Sequence, residues 1–299
     1  MERGWNVSTR ETRPSLLRLA FRRLLFVFCL GVVGAIFSAT LVRFAPGYGV
    51  QERELDPRWS AQSVEALRTK NESLPLFYVH YLSALAHGDL GQSDLLKRPV
   101  RDLLRERLPI TGKSVARGLF IAWFAAGLLA SLALTSRSSL YEAASTAFSS
   151  LLLSLPSAVV AMLAVQLRAP VFCAIGIVVF PRLHRYIRSL LVRSYDQPYV
   201  LAARARGLGN TTIFWRHALP VAAPPLLALL GVSFAIAFGA AIPIEALCDS
   251  PGVGQLAWQA ALSRDLPLIT NVTLVICLVM LATNLLADLA GRALAGSTQ

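Results

Sequence analysis

The sequence predicts an all-α polytopic membrane protein with six transmembrane helices and both termini in the cytosol. Three observations carry this reading. First, the 299 residues are 55% hydrophobic and 15% charged, with a mean hydropathy of +0.55, whereas a soluble domain holds about 25% charged residues. Second, the charges divide the chain into six uncharged tracts, 24–42, 118–136, 143–167, 169–181, 218–244 and 266–287. Third, the Lys and Arg residues between those tracts are distributed unevenly. The composition excludes disorder, which requires low hydrophobicity, and an ordinary water-soluble globule.

Tract 24–42 follows Arg22-Arg23 and holds 19 residues, enough at about 1.5 Å per residue to cross a hydrocarbon core about 30 Å thick. It exceeds the apolar region of a cleaved signal peptide, about 7–15 residues, so a retained anchor is expected rather than cleavage at Phe37-Ser38-Ala39. Residues 43–113 are too polar to be embedded and form a long extracytoplasmic loop. Within it Val100, Leu103, Leu104 and Leu108 recur at helical spacing. They predict an amphipathic segment that lies on the membrane surface, caps the outer gate, or packs as a small helix on the loop itself.

Tracts 118–136 and 143–167 are the second and third spans. The fourth tract, 169–181, is too short alone, but Leu183, Ile187, Leu190 and Leu191 continue one apolar face beyond it, so an amphipathic helix emerges into the cytosol. In the fifth, 218–244, Pro224-Pro225 is expected to break the helix locally. Its Gly231, Ala235, Ala237, Gly239, Ala240 and Ala241 permit another helix to approach closely. Tract 266–287 is the sixth span. The chain thus divides into a cytosolic segment 1–23, the first span, an outer loop 43–113, a five-helix core 114–290 with a cytosolic loop 193–217, and a tail 291–299.

Orientation follows from the basic residues. Segments 1–23, 137–142, 182–217 and 288–299 together carry 15 Lys and Arg, against two in the short loops around Arg168 and Arg264. The positive-inside rule puts the first set in the cytosol. The formal net charge of +12 is therefore mostly topological, and a nucleic-acid partner is not expected.

No enzyme chemistry is legible. The sequence lacks a GxxxxGK[ST] phosphate loop, HExxH and GxSxG. Cys29, Cys173, Cys248 and Cys277 have no metal-ligand spacing, and His80, His87, His184 and His217 are scattered. Neither a metal nor a cofactor is expected. The spans hold almost no ionisable groups, which disfavours an ion-coupled carrier. Candidates for a solute pathway are Pro224, Pro225, Ser233 and Pro243 of the fifth span, with Glu245 at its outer end; a packing kink without solute contact reads equally well.

The loop before the fifth span reads as two short helices. Pro198 suits a first helical position, Leu201-Ala202-Ala203-Arg204-Ala205-Arg206 favours helix, Gly207 supplies a left-handed stop, and Asn210 or Thr211 can cap a second helix.

The spacing Ala-Ala-x3-Gly-x11-Leu-Pro, from Ala202 to Pro220, resembles the EAA signature of the membrane subunits of binding-protein-dependent ABC importers. Its surroundings are similar to the dipeptide/oligopeptide permease branch. So are Arg22-Arg23-Leu24-Leu25 with Arg43-Phe44-Ala45-Pro46-Gly47, Gly88-Asp89-Leu90-Gly91-Gln92-Ser93 with Pro99-Val100 and Arg107-Leu108-Pro109-Ile110-Thr111, and Ser250-Pro251-Gly252-Val253-Gly254 with Arg264-Asp265-Leu266-Pro267. These matches run in family order from about residue 16 to 290. Leu201 stands where the signature has its Glu, and Gln166–Pro170 makes an abrupt turn where relatives carry an extra outer stretch.

The resemblance implies a type I ABC importer permease fold in a bacterial or archaeal cytoplasmic membrane. It implies that Ala202, Ala203, Arg204, Ala205, Arg206, Gly207 and Leu208 belong to coupling helices seated in a cleft of a separate cytosolic ATPase. It further implies a second permease subunit, an extracytoplasmic substrate-binding protein, and peptides or similar small solutes as cargo. The shortened outer hairpin motivates one alternative, a transport-incompetent scaffold or sensor that keeps the fold.

Overall fold

The computed structural model describes residues 87–136 and 139–296, with shorter pieces between 25 and 41 and between 79 and 85. The segment 1–23, the Arg43–Gly47 exit and the end of the tail lie outside the described residues. The helices are α1 (Val100–Ser136), α2 (Ser139–Leu153), α3 (Ser157–Gln166), α4 (Val171–Tyr195), α5 (Pro198–Ala205), α6 (Asn210–Ile213), α7 (Leu219–Leu247), α8 (Val253–Leu262) and α9 (Leu266–Gly296). No strand occurs among the described residues; a single bridge pairs Gln92 with Pro99.

Among the described residues three helices are long and apolar enough to cross a membrane, Val100–Leu134, Asn210–Leu247 and Leu266–Ala287, or four if α2 and α3 together make one span. The described residues between 25 and 41 are also helical, with Gly31 against Leu274 and Leu278 and Gly34 against Cys277 of α9.

Every apolar tract is helical over its described residues apart from the turns that end or interrupt it, but three details differ from expectation. Val100, Leu103 and Leu104 belong neither to a surface helix nor to one folded on its own loop. They open α1, which passes through Pro109 and continues into the second span. They are buried because Val253, Leu256 and Ala260 of α8 and Leu268 and Val272 of α9 cover them. The third tract is not one rod, since α2 and α3 meet at 91°. Pro156 lacks an N–H and its ring collides with the carbonyl four residues back, so the helix stops at Leu153 and restarts after it.

The fifth tract, conversely, is not broken at Pro224-Pro225. Helix α7 runs unbroken through both, and the backbone widens instead into a π turn at Phe214–Ala218. That turn surrounds Arg216, whose carbonyl would meet the Pro220 ring in a regular helix.

The core is built on small residues. Gly118, Ala122, Ala126 and Ala130 recur every fourth residue as the buried seam of α1, packed with Ala174, Ile175 and Val179 of α4. At Gly118 the approach is so close that an added Cβ would stand 2.7 Å from the Phe172 carbonyl oxygen. Helix α7 crosses α9 the same way, with Gly231 against Ala287 and the Thr283 carbonyl. Without a hydrophobic force between helices in lipid, such backbone approach supplies the packing. The expected continuation of the fourth tract holds as well: Leu183, Ile187 and Leu191 lie buried on one face of α4.

Four helices end alike. A left-handed residue, Arg168 (φ 50°), Gly207 (φ 77°), Asp249 (φ 50°) or Arg264 (φ 53°), follows α3, α5, α7 and α8 in turn. The next amide then returns to the helix: Ala169 to Ala164 (2.8 Å), Leu208 to Ala203 (3.3 Å), Ser250 to Glu245 (3.0 Å) and Asp265 to Ala260 (3.0 Å). This satisfies carbonyls the helix end would leave unpaired.

Candidate functional sites

At the arginine-rich end of the bundle, α5 and α6 form a small hairpin between α4 and α7. Pro198 occupies its first helical position, Gly207 makes the turn, and α6 starts at Asn210 with Gly209 as its cap, so neither Asn210 nor Thr211 caps it. The hairpin has its own core of Val200, Ala203 and Ile213 against Tyr195 and Tyr199. The Arg204 guanidinium lies 5.9 Å from the Tyr195 ring centroid. Tyr199 donates to the Ser194 carbonyl at 3.3 Å, and burial pushes its phenol up. Of the seven predicted residues only Ala203 is buried; Ala202, Arg204, Ala205, Arg206, Gly207 and Leu208 face outward. Leu201 and Trp215 join them, 70% and 63% exposed.

The opposite end is a polar clasp. Glu245 is fully buried. Its Oε2 accepts from Thr111 Oγ1 (3.0 Å) and from the Gly254 amide (2.8 Å). Thr111 Oγ1 in turn accepts from the Val253 amide (2.8 Å). The loop can wrap the carboxylate this closely because Gly252 and Gly254 lack side chains. A Cβ on Gly252 would overlap the Glu245 carboxylate, and one on Gly254 would stand 2.6 Å from Ile242 Cα. Beside this network Arg107 Nη1 donates to Gln255 Oε1 (2.9 Å), and Gln255 Nε2 donates to Asp249.

A second knot ties residues 88–99 to the start of α9. Asp265 Oδ2 accepts from Ser93 Oγ (2.6 Å) and the Leu95 amide (3.0 Å), while Oδ1 accepts from the Leu268 amide (3.1 Å) and so caps α9. Ser93 Oγ also accepts from the Leu96 amide (2.9 Å). Asn271 Nδ2 donates to the Leu90 carbonyl (2.9 Å). Motif segments far apart in the chain, around 90, 109, 252 and 265, thus converge on one end. Their matches carried the resemblance, but no spacing in the sequence indicates that Thr111, Ser93, Asp265 and Asn271 would meet partners there.

The pathway candidates spread along α7. Pro224 and Pro243 are half-buried and Pro225 is exposed. Ser233 is fully buried, accepts from Trp123 Nε1 (3.0 Å) and donates to the Leu230 carbonyl (2.8 Å). Ser233 and Glu245 therefore both bond to α1. The small residues of α7 face neighbouring helices of this chain: Gly231, Ala237, Ala240 and Ala241 are buried within it. Among the described residues no three His, Cys, Asp or Glu side chains gather as metal ligands.

A small-residue bundle whose helices are long and apolar enough to cross a membrane, with a helical hairpin at its arginine-rich end, defines a polytopic membrane protein. The chain belongs to the family of binding-protein-dependent transport system inner membrane components, whose sequence profile matches residues 118–298. It is a membrane subunit of an ABC importer, and ATP hydrolysis falls to a separate subunit. Over most of its length it is similar to the oligopeptide transport system permease protein OppB of Escherichia coli K12, with 28% identity across 87% of this chain and 92% of OppB. OppB of Salmonella typhimurium matches to the same extent. A protein of Sinorhizobium fredii named "Probable peptide ABC transporter permease protein" is 27% identical across 90% of this chain and 95% of its own.

Proposed function

We propose that this chain forms half of the translocation pathway of a peptide importer in the bacterial cytoplasmic membrane. It crosses six times, with both termini cytosolic: the first tract, α1, the α2–α3 pair, α4, α7 and α9. The relatives named for oligopeptide and peptide transport support peptides or similar small solutes as cargo. They favour transport over the scaffold or sensor.

The observation that carries the coupling role is the α5–Gly207–α6 hairpin. It has a core of its own yet is joined to α4 and α7 by continuous backbone, so a push on it moves both helices as rigid bodies. Its outward face joins apolar Leu201, Ala202, Ala205 and Leu208 to the cations Arg204 and Arg206. That mixture suits a cleft in an ATPase lined by apolar and acidic groups. The clasp end is the docking side for an extracytoplasmic binding protein, and a second permease completes the pathway alongside α7, on which Pro224, Pro225, Ser233, Pro243 and Glu245 are the candidate positions.

Co-purification tests this reading. The tagged chain, solubilised in mild detergent, brings down a second permease and an ATPase, and Arg204→Glu with Arg206→Glu releases the ATPase while the permease pair survives. Retention of the ATPase by the doubly reversed chain would remove the hairpin from the coupling role.

A further inference from the structure

A cavity of about 450 Å³ opens where α2 and α3 break, within the range of about 300–1,000 Å³ common for small-ligand pockets. Its walls come from three places: the break itself (Leu152 to Ser157), Val178 and Arg182 of α4, and Ala235, Ile236, Gly239 and Ala240 of α7. The α7 wall is made of small side chains, which is what leaves the space. Polar side chains enter it only at Arg182 and at Ser154 and Ser157, beside the backbone of the break itself. Arg182 is the sole ionisable residue of the lining, is exposed rather than packed away, and has no carboxylate partner among the described residues. Arg188, six residues further along α4, is by contrast held by Glu142. Pro156 caps α3 without a side-chain acceptor, so the break provides no anion to balance Arg182.

A pocket whose one charged group is a guanidinium with no carboxylate partner among the described residues selects an organic anion, and a planar carboxylate matches the guanidinium fork best. We propose that this cavity receives the C-terminal end of a short peptide in transit, with Arg182 holding its α-carboxylate and the leucine- and alanine-lined walls accepting the adjoining side chain. This rests on the peptide reading above and deepens it, assigning to the permease itself a preference for free-acid peptides.

The test compares uptake of radiolabelled Ala-Leu-Ala as the free acid and as the C-terminal amide. It uses cells whose only peptide importer is the complete system containing this chain, restored as wild type, Arg182→Gln or Arg182→Lys, with membrane levels matched by immunoblot. Every strain has the same binding protein, so a change in the acid-to-amide ratio belongs to the permease. Losing a charge-assisted hydrogen bond lowers that ratio about tenfold in R182Q, while R182K, which keeps the charge, retains most of it. An unchanged ratio in R182Q overturns the proposal. So does an equal fall for both peptides, the result expected if Arg182 only anchors the helix at the lipid headgroups. If the wild-type importer carries a different solute but neither peptide, the peptide reading fails first and the carboxylate anchor falls with it.

Discussion

Thr111 stands between Glu245 and Val253 with both functions of one hydroxyl in use: it donates to the Glu245 carboxylate at 3.0 Å and accepts from the Val253 amide at 2.8 Å. One atom thereby joins α1, the end of α7 and the start of α8. Val cannot do this although it fills nearly the same space. Thr111→Val leaves a buried amide unpaired and strips a donor from a buried carboxylate, a loss of about 1–3 kcal/mol for an unsatisfied group. The midpoint of thermal unfolding in detergent is expected to fall for T111V and to stay near wild type for T111S, which keeps the hydroxyl.

The Asp265 knot makes a more local prediction. Asp265→Ala removes the acceptor of the Ser93 hydroxyl and of the Leu95 and Leu268 amides. Hydrogen exchange is expected to accelerate at Leu95 and Leu268 while the α1–α4 seam keeps its protection. Uniform acceleration across the bundle would mean that the knot holds more than its own loop.

Gly231 and Ala287 form a pair that a compensating change can expose. A methyl at Gly231 would overlap Ala287 Cβ, so Gly231→Ala must push α7 from α9, and overpacking of this kind costs about 1–3 kcal/mol. Ala287→Gly vacates that spot. The double variant G231A/A287G is expected to recover most of the thermal stability lost by G231A alone, and G239A, with only Met280 Cε at 3.9 Å, to lose little.

The four shared helix endings predict effects of opposite sign. Gly207 has open space around it, so Gly207→Val is disfavoured by its left-handed backbone alone, by about 1–2 kcal/mol. Insertion and membrane level are expected to survive, while ATP hydrolysis in reconstituted vesicles ceases to track uptake. Arg168→Gly and Arg264→Gly relieve the same backbone cost and should raise thermal stability slightly. Both arginines are exposed, so their side chains give up little.

The positions of the helices were legible because charges punctuate the chain, and a charge inside hydrocarbon is costly. The hairpin was legible because Pro198 and Gly207 act through their own backbones, whatever surrounds them. Pattern failed where neighbours decide. Leu103 and Leu104 read as amphipathic whichever surface they meet, and only α8 and α9 reveal which. Pro224-Pro225 reads as a break, but the helix runs through both, and the backbone widens instead around Arg216, four residues before Pro220. Charge counting could not find the bend at Pro156, because nothing charged marks it. The clasp was hidden for a different reason: Ser93 and Asp265 are 172 residues apart, and small polar residues in loops show no periodicity.

The right-angled break between α2 and α3 constrains what can lie beside it. A helix end leaves about four carbonyls or four amides without internal partners, and acyl chains offer nothing to bond them, at several kcal/mol for each group left bare. Ser154 and Leu155 return their amides to Ser150 and Leu152, and the Pro156 carbonyl accepts from Val159 and Val160; the backbone groups of the bend that these bonds leave over cannot be turned toward lipid tails at bilayer depth. The flank that carries them has to be roofed by another polypeptide or wetted by a water-filled vestibule. One proline thus marks which side of the bundle is hidden from the bilayer when the transporter is whole.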